Sequence, residues 1–495
     1  CTLNSECHEA FSMDYACGAA GVCVNLLTPQ CDSVLWPAGH DVDKVVWLGS
    51  LMDTSPPFDE LIQPLENAVQ LAVNDFNGQV SLQGDRKIGW IACDITGPGT
   101  VAIAAAEHVV NTVGAPAVIG PIFSEAVINV AEMVTIPAGA MMMAPGATSK
   151  NITDLDDNNL VWRTIASDVY QANAVVDTVN GDLVAVGQEA PTKIVILYKD
   201  DEYGNNLLTD TIGGLTAAIG QANISTVEYP DPATFTDPDA LTQALSLAVG
   251  SAYAQAPDYV IIYGTSEAAN LMQGYTGAYA QSLMLDPMNT PPLPRFLVTH
   301  GGVPVMEDTI RGLEALMLDP FESTLNALIE GTSPAIQDPV NFVDYNIRYG
   351  IAFNDEEALT ASGLSYDGTL TVLFSMTTID GETPVSGEDI AIGMGRLVDK
   401  SADTVAFTGL DLDFITDVRN TLVTGQNVDL HGVSGQLDFD ITSGDVRQDQ
   451  VRWLLLDNDG DPMDSAATPV LAPYRYYALN PDPAEDGTWV PFPSP

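Results

Sequence analysis

The sequence predicts an α/β protein of two similar units, each a mostly parallel sheet covered by helices, preceded by a short disulfide-stapled segment. Three observations carry this reading. Short apolar runs alternate with helix-period segments in two successive series along the 495 residues, the connections between them are short, and five of the six cysteines crowd into the first 31 positions. Buried parallel strands read as continuous apolar runs, and a parallel pair needs a crossover, usually a helix, so repeated alternation calls for this architecture.

The cysteine segment comes first. Cys1, Cys7, Cys17, Cys23 and Cys31 lie in a Gly- and polar-rich stretch, which suits a small bridged module and an oxidising compartment. A zinc site is disfavoured because no CxxC pair occurs and His8 is the one histidine among these cysteines. Two bridges are expected within Cys7, Cys17, Cys23 and Cys31, with the pairing left open. Cys93 is expected as a buried free thiol, with a bridge to the amino-terminal module as the alternative. The given chain starts on Cys1, as a mature lipoprotein does, so Cys1 is read as a lipid anchor, against an arbitrary starting point. Such an anchor is the one membrane attachment expected, since no window approaches the roughly 18–20 consecutive apolar residues of a spanning helix.

The first α/β series begins at Lys44. Residues 45–48 read as a buried strand ending in Gly49. Leu65, Ala68, Val69, Ala72, Val73 and Phe76 recur at spacings of three and four, one apolar helix face. Strands at 87–92, 117–119 and 140–143 follow, with helices at 101–113, stopped by Gly114, and at 125–134. The second series has strands at 193–198, 226–229, 259–263 and 296–298, with helices at 205–219, 238–249 and 267–274. Beyond Leu316 the pattern is more helical, at 335–349, 356–376 and 390–400, and strand-like runs return at 436–439 and 450–456. The proline-rich tail reads as irregular coating.

Composition excludes whole classes of function. Asp and Glu number 67 against 16 Lys and Arg, a net charge of −51. Nucleic acid and anionic membrane surfaces need clustered Lys and Arg, which this chain lacks. A hydrophobic fraction of 46% excludes an acidic disordered chain. GxSxG, HExxH, GxxxxGK[ST] and GxGxxG are all absent, and the five histidines show no metal-ligand spacing, so no enzyme activity and no cofactor are expected. Asp457, Asp459 and Asp461 alternate around a glycine as calcium loops do, but the closing glutamate is missing and a hairpin turn wants the same residues.

The informative segments are loops at the carboxyl ends of predicted strands, where open α/β sheets bind ligands. In 119–124, Gly120 permits close backbone approach, and Ser124 stands at a helix start where its hydroxyl and free N–H groups can take a carboxylate. Residues 144–149 offer further N–H groups and the Thr148 hydroxyl, an anion nest. Ordinary helix capping accounts for either loop taken alone. Neither 121–124 nor 145–149 contains an acidic residue, which assigns the acidity to the solvent-facing coat rather than to a cationic ligand.

The ordered series Ala117-Val-Ile-Gly-Pro121, Ser124, Pro145-Gly-Ala-Thr148 and Val161-Trp-Arg-Thr164 resembles the type I periplasmic solute-binding proteins of the leucine/isoleucine/valine-binding branch. Further matching segments lie at 48–51, 198–204, 263–266, 365–367, 432–435, 439–440 and 444–445. The resemblance implies two Rossmann-like lobes joined by three crossovers, mapped as 44–163 plus 319–437 and 164–318 plus 438–480, with a cysteine-rich module at 1–43 and a tail at 481–495. It implies that Ser124, Ala147 and Thr148 hold a ligand carboxylate and that Tyr203 closes on it. The family glutamate that meets a ligand ammonium falls near His300 and is absent here. Glu267, Asp53 or Asp367 is a candidate for the missing charge, unless the ligand has no ammonium group; His300 and Tyr366 complete the candidate ligand-binding set. The family's cysteine opposite Cys93 is Phe123 in this chain. The implied function is an extracytoplasmic lipoprotein, at the periplasm or cell surface, that captures a small polar, amino acid-like ligand for the permease of an ABC-type transporter. The alternative keeps the fold without transport, as a sensory receptor ectodomain or a filament-forming subunit.

Overall fold

The apolar run opening at Val45 forms the strand Val45–Met52, the centre of a six-stranded sheet. Lys87–Asp94 and Ala117–Ile119 flank it in parallel, Met141–Ala144 and Val161–Arg163 extend the parallel series, and Ser33–Leu35 lies antiparallel on the far edge. The central strand runs past Gly49, where the sequence reading ended it. A Cβ at Gly49 would lie 2.4 Å from Val109 Cγ1, so the glycine admits a helix close against the sheet rather than ending the strand.

This computed structural model describes residues 1–235, 237–309, 328–407, 412–457, 469–480 and 487–491. The chain divides into two units, Cys1–Ser167 with Ile336–Arg447 and Asp168–Ala335 with Gln448–Pro495. The backbone therefore crosses between units three times, as the resemblance implies.

In the first unit the helix Asp59–Gln79 buries the whole expected apolar face, Leu65 through Phe76. It packs with Ser362–Met376, a helix buried at every position, and Phe76 joins Leu370, Leu373 and Phe374 in one core. The helix expected at 101–113 is α-helical over Gly99–Ala106 and π-helical over Glu107–Val113. Gly114 ends it at φ 95°, the left-handed conformation that glycine adopts without strain.

The cysteine segment is part of this unit, and its bridges are Cys1–Cys17, Cys7–Cys23 and Cys31–Cys93. Two expectations are corrected. Cys1 commits its only sulfur to Cys17 and has none left for a thioether-linked lipid, and only one bridge lies within the set Cys7, Cys17, Cys23 and Cys31. Cys93 is a further correction: it is not a free thiol but is bridged to Cys31 of the amino-terminal module. Cys31 reaches it because Ser33–Leu35 pairs with the strand that carries Cys93.

The second unit holds eight strands in one sheet. Ile224–Pro230, Ile194–Asp200, Tyr259–Tyr263, Arg295–Val298 and Ile329–Pro334 run parallel. Gln450–Asp457, Pro469–Ala478 and Thr488–Pro491 then add antiparallel. Two readings are corrected here. Part of the proline-rich tail is strand rather than coating, and 335–349 is not one helix, since a strand ends at Pro334 and the helix is Asn341–Ala352. Buried charge ties these strands together. Arg452 is fully buried and ion-paired with both Asp182 and Glu330, and Arg475 also pairs with Asp182. Buried ions persist only when matched in this way.

Candidate functional site

In the first unit two loops leave neighbouring parallel strands and meet. Ala117–Ile119 ends at Gly120, whose φ is 91° and where a Cβ would fall 2.3 Å from the Leu51 carbonyl oxygen, so only glycine makes this turn. The chain then enters the helix Ser124–Val130 with Ser124 as its first residue. Met141–Ala144 leads into the second loop, where Ala147 and Thr148 are each 1% exposed. Ser149 caps the helix Lys150–Thr153 by accepting the N–H of Asn151. The loops join where the Ser149 N–H donates to Ser124 Oγ at 3.2 Å. Ser124, Ala147 and Thr148 therefore belong to one small region of hydroxyls and backbone N–H groups with no ionisable side chain in either loop. Such a set has the chemistry to receive an anion and offers no nucleophile–base pair of its own.

Beneath the second loop sits a residue that the sequence reading missed in this role. Arg163 ends the strand Val161–Arg163 and is fully buried. Its Nη1 donates to the Ser149 carbonyl at 2.8 Å, Nη2 donates to Thr153 Oγ1 at 2.7 Å, and Nε donates to Asp445 Oδ1 at 2.8 Å. The guanidinium thus fixes the loop from below through its carbonyls. The available signal was a cation inside an apolar strand of a chain with so few basic residues.

Other candidates fall elsewhere. Asp53 follows the central strand, 7% exposed, and burial, aided by the Asp94 charge, lifts its pKa to about 7. Asp367 accepts the N–H groups of Val433 and Ser434 and the Ser434 hydroxyl, which binds the helix Ser362–Met376 to that turn. Burial sets its pKa at about 6 against these bonds. Tyr366 is fully buried and donates to Asp75 Oδ2 at 2.8 Å, within a core that also engages Arg348.

Within the second unit Tyr203 and His300 come together. The Tyr203 hydroxyl donates to Thr299 Oγ1 at 2.6 Å and lies 3.2 Å from His300 Nδ1, and the two rings meet edge to face at 5.1 Å. Glu267 is buried and satisfied, accepting from the Tyr229 hydroxyl, the Thr265 N–H and the Thr265 hydroxyl. Burial pushes its pKa upward, but Lys199 and the Thr265 bonds outweigh this and hold it below the usual range. Lys199 mirrors it: burial pushes its pKa down, and the Glu267 and Asp201 charges outweigh burial and raise it. This carboxylate is thus held by internal donors, Tyr229 and Thr265, within the field of Lys199.

Asp459 and Asp461 lie outside the described residues, and Asp457 is the last residue of its strand with its side chain outside them. Among the described residues no helix is long and apolar enough to cross a membrane.

Residues 46–282 match the sequence profile of the family described as periplasmic binding protein. No curated protein matches the chain. Among solved structures, the branched-chain amino acid transporter substrate-binding protein LivJ of Streptococcus pneumoniae, in complex with isoleucine, aligns with TM-score 0.58 and 17% identity over 87% of this chain and all of that one. A leucine-binding protein from Thermotoga maritima gives 0.58 and 16% over 88% of this chain and 99% of its own. A solute-binding protein of an ABC transporter from Rhodopseudomonas palustris, in complex with 3,4-dihydroxybenzoic acid, gives 0.59 and 14% over 89% and 99%. Proteins of this family are extracytoplasmic binders of small molecules rather than enzymes and serve ABC-type permeases. The profile match at residues 46–282 and the likeness to these solved structures together show the type I periplasmic binding protein fold in this chain.

Proposed function

We propose that this chain is an extracytoplasmic solute-binding protein that takes a small carboxylate through the loops of Ser124, Ala147 and Thr148 and supplies it to an ABC-type permease. The observation carrying this reading is the contact between Ser149 N–H and Ser124 Oγ, which gathers two loops without any acidic residue in a protein of net charge −51. Anion capture in so negative a chain requires a region where hydroxyls and N–H dipoles outweigh the surrounding field. The ligand is proposed to lack an α-ammonium group, because His300 stands where the resemblance expects a glutamate and Glu267 is already engaged by Tyr229 and Thr265. Aromatic and branched aliphatic acids fit this description.

A thermal-shift series with benzoates, 2-oxo acids, free amino acids and the matching uncharged amides tests it. Carboxylates are expected to raise the melting temperature and amides are not, with Ser124→Ala removing the shift. Stabilisation by amides and acids alike would sink the carboxylate reading. Silence from every compound favours the receptor or filament alternative.

A further inference from the structure

Apart from the loops at Ser124 and Thr148, the first unit carries a second cavity, of about 340 Å³. Its walls come from the helix Asp59–Gln79, the strand Lys87–Asp94 and the neighbouring edge at Asp32 and Ser33. Three carboxylates line it, Asp32, Glu66 and Asp94, together with the amides of Gln63 and Asn67 and the Trp90 side chain, and its lining holds no Lys, Arg or His.

Glu66 is the informative member. It is 8% exposed yet has no cationic side chain in the cavity. Its Oε1 accepts the Ser50 hydroxyl at 3.1 Å, and Ser50 Oγ in turn accepts the Trp90 indole N–H at 3.1 Å. A chain of neutral donors therefore orients the carboxylate without neutralising it. Burial lifts its pKa to about 7; the Ser50 bond opposes this and the Asp94 and Asp32 charges add to it. Asp94 is held by Ser55, Thr96 and the Thr54 N–H, and Asp32 stands exposed at the rim. A carboxylate more than nine-tenths buried is costly unless a positive partner meets it.

The three carboxylates do not converge on one point, as a metal site built from them would require. Among the described residues the one group of His, Cys, Asp or Glu donors close enough to share an ion is Cys1, Cys7 and Cys23, all three of which are in disulfides. Asp32, Glu66 and Asp94 are too spread for one ion and suit a ligand with length of its own. We propose that this cavity binds a small organic cation, an amine carrying further amino or hydroxyl groups, with its ammonium on Glu66 and its remaining donors on the amides and Asp94. This site is separate from the carboxylate loops and requires no assumption about them.

Isothermal titration of the whole chain with putrescine and glucosamine tests the proposal, with 1,4-butanediol, glucose and CaCl2 as comparisons. Salt of about 0.3 M suppresses general attraction to the acidic surface. The expected result is one saturable amine site, with the uncharged analogues and Glu66→Gln each weaker by at least about tenfold and Ser124→Ala unchanged. Should Glu66→Gln fail to fold, Asp32→Asn on the rim is expected to weaken binding in the same direction. No saturable amine binding below about 10 mM, calcium binding in place of amines, or equal affinity in both acidic-site variants would overturn the assignment.

Discussion

Arg163 and Ser149 are joined by a 2.8 Å bond from the guanidinium to a main-chain carbonyl, so the loop carrying Thr148 is held by a buried cation. The same guanidinium donates to Asp445, from the later chain segment of the same unit. Arg163→Ala leaves that carboxylate and two loop carbonyls without their donor. The expected cost is about 3–5 kcal/mol of stability, read by urea denaturation. Arg163→Lys keeps the charge but not the fork of donors, and is expected to restore part of the stability while carboxylate affinity stays weakened. Full affinity in the lysine variant would show that the loop geometry does not depend on the guanidinium.

Tyr366 gives the opposite pattern. Its hydroxyl donates to Asp75, which Arg348 also engages, and the ring lies in the core beside Tyr345 and Phe407. Tyr366→Phe keeps the packing and loses one bond to a charged acceptor, a loss of about 1.5–3 kcal/mol. Ligand-induced thermal shifts are expected to be unaltered. A change in affinity without a change in stability would place Tyr366 in the site.

These two residues mark where the sequence was legible. The parallel strands were visible because each is a continuous apolar run that no exposed loop would carry. The loops of Ser124 and Thr148 were legible as strand ends because glycine, proline and hydroxyl residues punctuate the ends of such runs, whereas Ala147 entered only through the resemblance. Ile329–Pro334 was not, since Glu330 and Gly331 break its apolar pattern, and the groups that make that glutamate acceptable in a sheet, Arg295, Arg452 and Tyr474, lie far from it in sequence. Arg163 was hidden for the same reason, its partner Asp445 lying 282 residues on. The setting of Tyr366 was not legible, because the sequence does not show that the helix around it is buried at every position.

The bridge Cys31–Cys93 spans 62 residues and pins the edge strand to its neighbour. Cys93→Ala is expected to cost about 2–4 kcal/mol and to leave one titratable thiol, at Cys31, in the denatured protein. The unmodified chain is expected to show none, since every cysteine is bridged. A free thiol in the native sequence would reopen the pairing.

Acidity offers the last test. Asp53 and Glu66 have folded pKa values raised to about 7 from 3.8 and 4.5. Between those limits the folded chain keeps protons that the unfolded chain has released, so stability is fully present below the unfolded values and is lost as pH rises toward 7. Asp94 works in the other direction: burial pushes its pKa up, but the bonds from Ser55 and Thr96 outweigh it and leave the group below 3.8. Its window therefore leaves the range from about pH 5 to 8 untouched. The net charge of −51 adds self-repulsion with the same sign as Asp53 and Glu66, and salt screens it over about 10 Å at 0.1 M. The urea midpoint is therefore expected to fall from about pH 5 to pH 8. Raising NaCl to about 1 M is expected to recover the surface part of that fall and not the part due to the buried pair. Asp53→Asn with Glu66→Gln is expected to flatten the slope that remains at high salt. An unaltered slope in the double variant would assign the titration to other groups, the buried Asp367 among them.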